Sequence, residues 1–145
     1  MDVLFIINCS FLLGLQDSQY DEEDLTVLTP FLNQAEGLVL VYSVDDQKSF
    51  AQIKKIKRFV DQQKESPTLP IVLVGNKCDL DNRVISYEEG EDLANSLGIS
   101  FLEVSALTGM NCEEVFKILI REIQKEKSNP LANEKVDVCK GCGIF

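Results

Sequence analysis

Histidine is absent from this sequence of 145 residues. That removes the usual neutral-pH proton shuttle and commonest zinc ligand from any account of its chemistry. Basic residues are in deficit as well: 14 Lys and Arg stand against 24 Asp and Glu, for a formal net charge of −10. Nucleic-acid backbones are gripped by clustered cations, so this balance argues against such a partner, while leaving room for a local site that takes a single nucleotide. No disulfide framework is visible. The five cysteines, Cys9, Cys78, Cys112, Cys139 and Cys142, are odd in number, which favours free thiols in a reducing, cytosolic compartment. None of the eight glycines opens the pattern G-x-x-x-x-G-K-[ST], so the backbone cradle that such a loop builds around phosphates is lacking.

No apolar run reaches the roughly 20 residues of a membrane span. The most apolar stretch, Val3 to Leu15, is shorter; it follows Asp2 where a secretory leader carries basic residues, and Asn8, Cys9 and Ser10 interrupt it. It reads as a buried strand, with a leader or anchor segment and the remnant of an aberrant start as the alternatives.

What is present is 45% hydrophobic residues, enough for one globular domain with a single core. Three short apolar runs have buried-strand character: Leu38 to Val44, Ile71 to Val74 and Phe101 to Val104. Segments of helical spacing separate them. The first sets Phe50, Ile53, Ile56 or Lys57, and Val60 on one face, with Lys54, Lys55, Lys57 and Arg58 largely on a solvated face, and stops before Pro67 and Pro70. The second opens with Ser86-Tyr87-Glu88-Glu89, a capping-box spacing, carries Leu93, Ala94 and Leu97, and meets Gly98 as its left-handed stop. The third starts at Asn111, has Glu114 three residues on, and should bury Val115, Phe116, Leu119, Ile120 and Ile123. Alternating strands and helices imply an α/β fold with a mostly parallel sheet, right-handed crossovers and helices on both faces. The pattern divides the chain into a domain over 1–127 and a flexible tail over 128–145.

Ligands of such sheets sit beyond the carboxyl ends of the strands. Directly after Ile71 to Val74 comes Gly75-Asn76-Lys77-Cys78-Asp79. The Asp79 carboxylate offers two acceptors that match the adjacent ring N–H and exocyclic amine of guanine, a pair of donors adenine does not present. Asn76 can touch a base and tie neighbouring loops, the aliphatic stem of Lys77 can cover an aromatic ring, and Gly75 allows close backbone approach. After Val104 comes Ser105-Ala106-Leu107, where a backbone N–H can reach the guanine O6 and the Ser105 hydroxyl can buttress Asp79.

On these loops the sequence resembles the Ras superfamily of small GTPases, whose base-reading motifs are N-K-x-D and, later, S-A-K. The first is complete. The second carries Leu107 in place of lysine. Arg83 to Gly90, and Val41 to Val44 followed by Lys48-Ser49-Phe50, are similar to the Rheb branch, with Rap or another Ras branch as the alternative. The resemblance implies a truncated P-loop small-GTPase-like fold lacking the P-loop and switch I segment. It also implies GTP or GDP and Mg²⁺ as cofactors, effector and regulatory proteins as partners, and a membrane-anchored signalling role.

Counting back from Glu36-Gly37, the family's D-T-A-G-Q falls on Asp17 to Asp21. Asp17 would hold Mg²⁺ through water. Tyr20 replaces a glycine whose N–H meets the γ-phosphate, and Asp21 replaces the glutamine that orients the attacking water, so phosphate binding and hydrolysis are expected to be impaired. Asp17, Asp21, Glu22, Glu23 and Asp24 read most simply as a solvated acidic loop. In the family the first strand lies between the third strand and the one formed here by Leu38 to Val44. If Ile7 to Leu15 is that third strand, it must pair directly with Leu38 to Val44 or leave open edges. About three base contacts at about 0.5–3 kcal/mol each would hold nucleotide in the micromolar to millimolar range.

The chain ends Cys142-Gly143-Ile144-Phe145, a C-a-a-X box with a terminal Phe of the geranylgeranyl type. Cys142 is the expected prenylation site. One lipid anchors marginally and no polybasic patch accompanies it, so Cys139 is the candidate palmitoylation site. A redox or zinc pair formed by Cys139 and Cys142 is the rival, weakened by the lack of a second pair. The implied location is the cytoplasmic face of cell membranes. The competing functional reading is a lipid-anchored, non-catalytic pseudo-GTPase or a non-functional truncated form.

Overall fold

The computed structural model describes residues 3–8, 11–16, 24–63 and 69–128. Among these residues five strands, β1 (Val3–Asn8), β2 (Phe11–Gln16), β3 (Gly37–Ser43), β4 (Ile71–Asn76) and β5 (Ser100–Glu103), form one sheet in the order β2-β1-β3-β4-β5. Strands β3, β4 and β5 run parallel, as the apolar runs predict, with Leu38 beside Ile71 and Val72 beside Ser100. Helices α2 (Gln47–Gln63) and α3 (Tyr87–Leu97) make the crossovers, and α4 (Cys112–Ser128) follows β5. A 3-10 turn at Asp24–Leu28 runs into the short α1 (Thr29–Leu32), with Pro30 in its first turn, where a missing N–H does no harm.

All seven residues of β3 are buried, because both faces of the sheet are covered. On one face Leu38, Leu40, Tyr42, Ile71 and Leu73 pack against Ile53, Ile56 and Val60 of α2, Leu93 and Ala94 of α3, and Leu25, Leu28 and Leu32. On the other, Val39, Val41, Val72 and Val74 pack against Val115, Leu119 and Ile123 of α4. Two expected core residues depart from this scheme. Phe116 and Ile120 lie exposed on the flank of α4, because the buried stripe of that helix is the narrow 115, 119, 123 row and not the wider face its sequence offers.

The first apolar stretch is also corrected. It is not one strand but two: β1 and β2 pair antiparallel from Val3 with Gln16 to Asn8 with Phe11. Strand β1 then pairs antiparallel with β3, Val3 opposite Val41 through Ile7 opposite Gly37. The direct pairing with β3 was one of the two outcomes expected, but the strand that makes it precedes the interrupted segment and runs in reverse.

Helix ends follow their side chains. The Asp46 carboxylate accepts from the Lys48 N–H (2.9 Å) at the start of α2. At α3 the expected capping box is complete: Ser86 Oγ accepts from Glu89 N (3.1 Å) and Glu89 Oε2 accepts from Ser86 N (2.8 Å). Gly98, at φ 66°, caps the other end. Within α3, Gly90 is required for another reason. A Cβ there would collide with the Tyr42 hydroxyl and come within 2.6 Å of the Phe101 ring. That close approach seats α3 on β3 and β5.

Candidate guanine-reading site

The carboxyl ends of β4 and β5 bring the two predicted loops together. Cys78 N donates to Val104 O (3.0 Å) and Val104 N to Gly75 O (2.8 Å), which extends the pairing of the strands into the loops. Asn76 then bridges them: its Oδ1 accepts from Lys77 N (2.8 Å) and from Ala106 N (3.1 Å). The bridge holds Lys77 at φ 65°, a left-handed conformation that costs a side-chain-bearing residue about 1–2 kcal/mol.

Ser105 is fully buried and spends its hydroxyl twice, donating to Asp79 Oδ1 (2.5 Å) and accepting from Thr108 N (3.2 Å). Asp79 itself is exposed, so its carboxylate is oriented from beneath and open from above. Asn76, Lys77, Asp79, Ser105 and Ala106 are thus assembled on one rim, as the spacing predicts. Leu107 stands out from it, 86% exposed.

The loop after β5 is itself braced. Ser105 N donates to Met110 O (3.1 Å), Gly109 N to Ser105 O (2.8 Å), and the Asn111 amide to Glu103 O (2.9 Å). The loop after β4 is pinned by Arg83, whose guanidinium forks onto both carboxylate oxygens of buried Glu103 and donates through Nε to Ile85 O (2.8 Å). Sequence reading passed over this pair, since an isolated arginine and glutamate twenty residues apart carry no motif. The Cys78 thiol is held above the ordinary thiol range by burial, with Glu103 and Asp79 adding to it, so it stays protonated near neutral pH.

A second contribution went unread in the sequence. Asp45, just past β3, accepts from the Lys77 ammonium on both oxygens, at 2.9 and 3.1 Å, and from the Ser43 hydroxyl. The Ser43 hydrogen bond first, and Lys77 second, hold its carboxyl below the usual carboxylate range. Its place at the carboxyl end of a buried strand was the available signal.

This arrangement, an aspartate buttressed by a serine 26 residues away and two loops tied through one asparagine, is what the N-K-x-D and S-A motifs imply. The sequence model described as the Ras family matches residues 8–125. The chain belongs to the Ras family.

Among curated Ras family proteins, it is 41% identical over 123 residues to a Ras-like protein of Laccaria bicolor, covering 82% of this chain and 59% of that protein. It is 39% identical over 117 residues to the Ras-like protein rasX of Dictyostelium discoideum, covering 80% of this chain and 55% of the relative. The chain therefore spans a little over half the length of these relatives.

Asp17, Tyr20, Asp21, Cys139 and Cys142 lie outside the described residues. Among the described residues there is no group of three or more acidic, cysteine or histidine side chains that could hold a metal ion. No helix among the described residues is long and apolar enough to cross a membrane.

Proposed function

We propose that this chain is a guanine-nucleotide-binding module of the Ras type that takes the base through Asn76, Lys77, Asp79, Ser105 and Ala106, and that serves as a lipid-anchored signalling component. The observation that carries the reading is the Ser105 to Asp79 hydrogen bond. It fixes a carboxylate at the mouth of two braced loops, where two acceptor oxygens can meet the two adjacent donors of guanine. Membership of the Ras family supports the choice of guanine over other bases.

A second reading, binding without turnover, is favoured by the sheet. Strand β1 is hydrogen-bonded directly to β3 along five residue pairs, so the place where the family inserts its phosphate-loop strand is closed. Base contacts then dominate, and an affinity in the micromolar to millimolar range is expected. On this reading the chain engages effector or regulatory partners without hydrolysing nucleotide, and Asp17 contributes to Mg²⁺ binding only weakly. The membrane role rests on Cys142, as a prenyl acceptor, with Cys139 as a second acylation site, both in the sequence that follows α4.

Calorimetry with GDP, GTP and ATP, each with Mg²⁺, on a chain shown to be folded by circular dichroism, tests the proposal. Binding of both guanine nucleotides but not ATP supports it, and equal or absent binding overturns it. Single-turnover hydrolysis well above the buffer rate would remove the non-catalytic reading. For the anchor, a Cys142→Ser chain expressed in eukaryotic cells should leave the membrane fraction; retention there would refute the lipid proposal.

A further inference from the structure

Lys77 is constrained at both ends. Its backbone is fixed in a left-handed conformation by the Asn76 side chain, and its ammonium is gripped by Asp45. The mount of Asp45 is itself rigid. Val44 N donates to Asn76 O (3.0 Å), Val44 O accepts from both Val84 N (2.8 Å) and Ile85 N (3.0 Å), and Asp46 N closes the turn onto Ser43 O (3.0 Å). Ser43 completes the arrangement by donating its hydroxyl to the same carboxylate.

The ammonium and carboxylate are partly exposed, with side chains 44% and 26% accessible. An isolated pair of that kind stabilises a fold little. Its consequence lies elsewhere: a long lysine side chain that would otherwise sample many rotamers is drawn taut between two fixed points. The methylene stem between those points is the part of the residue that would lie against the base.

We propose that Asp45 is a positioning residue for guanine binding, holding the Lys77 stem in place as a preformed wall of the base site while touching no ligand itself. This rests on the guanine-binding reading of the same loops. The gain is entropic, since a stem already ordered has less freedom to lose when the base arrives.

Asp45 also carries negative charge, and that charge makes the role separable from simple electrostatics. Guanosine is neutral and GDP is not. Removing a carboxylate near an anionic ligand strengthens binding by charge alone, whereas removing a positioning residue weakens both ligands.

The test titrates guanosine and GDP into the full chain and its Asp45→Asn, Lys77→Ala and doubly substituted forms. Asp45→Asn should weaken guanosine and GDP alike, by about 3- to 10-fold, with a melting temperature within about 3 °C of the parent. In the Lys77→Ala background the same substitution should have no further effect, because the stem it orders is gone. Should Asp45→Asn not fold, Asp45→Glu keeps the charge but displaces the carboxylate, and is expected to lose affinity in the same way.

Unchanged guanosine binding, tighter GDP binding, or an equal loss in the Lys77→Ala background would each overturn the positioning role while leaving the guanine site standing. A parent chain that is folded and takes up no guanosine at millimolar concentration would refute the guanine-binding reading, and the role of Asp45 with it.

Discussion

Ser105 donates to Asp79 across 26 residues of sequence, and the serine is buried while the aspartate is exposed. Their roles differ accordingly. The serine fixes an orientation from inside the protein, and the aspartate presents it to solvent. Ser105→Ala should weaken GDP binding by about 5- to 10-fold, the equivalent of one hydrogen bond of about 1–1.5 kcal/mol. It should also lower stability by about 1–3 kcal/mol, because Thr108 N loses its acceptor. Calorimetry and urea unfolding on the same preparation separate the two effects.

The hydroxyl of Tyr42 is buried with no hydrogen-bond partner among the described residues, beside the close approach of α3. Burial, and then Glu103, push its ionisation well above the ordinary tyrosine value, so it is a neutral phenol near neutral pH. Tyr42→Phe removes a polar atom that gains nothing inside the protein. The variant should be as stable as the parent or more so by about 1–2 kcal/mol, measured as the urea midpoint at constant slope.

Gly90 and Gly98 both sit around α3, and alanine should harm them for different reasons. At Gly90 the new methyl meets the Tyr42 hydroxyl and the Phe101 ring, and forcing them apart should cost about 1–3 kcal/mol. At Gly98 there is open space, but φ is 66°, and the cost should be about 1–2 kcal/mol. Adding Tyr42→Phe should rescue part of the first loss and none of the second, which a double-mutant cycle in urea would read directly.

Acid should release Asp45. Its pKa in the folded chain is depressed below the ordinary 3.8, so it contributes stability that is fully present above that value. The contribution is lost as pH falls from there through the lower folded value. The acid limb of stability against pH should therefore be shallower in Asp45→Asn than in the parent below about pH 4, with the two curves parallel above about pH 5. Parallel curves throughout would show that the Ser43 and Lys77 contacts do not persist in solution.

The parts of this fold that were legible in the sequence are those whose cause is local. Leu38 to Ser43 and Ile71 to Val74 announce buried strands because both of their faces are covered, and Ser86 and Gly98 mark the ends of α3 through their own backbone geometry. Asn76, Asp79 and Ser105 were legible because chemistry fixes their types and order. Phe116 and Ile120 were misread because helical spacing shows which residues are apolar but not how wide a face the sheet will cover. The antiparallel pairing of β1 with β2 was missed because the sequence shows only an interrupted apolar stretch, and the pairing of Leu4 with both Leu15 and Leu40 leaves no mark in local spacing. Asp45, Arg83 and Glu103 act through partners 20 or 32 residues away, a distance at which single residues leave no trace in spacing.

One of the two cores has a consequence for how the chain is made. Valines 39, 41, 72 and 74 are covered by α4, and α4 is formed by residues 112–128, far downstream of the strands it seals. Synthesis proceeds from the amino terminus, so the opposite face can receive α2 and α3 while this valine surface is still bare. For the time it takes to translate from β4 to the end of α4, the nascent chain exposes a β-branched sheet face to solvent. The protein is thus most vulnerable to misassociation before α4 is in place, and holdase chaperones that recognise apolar β-structure should bind free chains truncated before residue 112 more than chains that include residues 112–128.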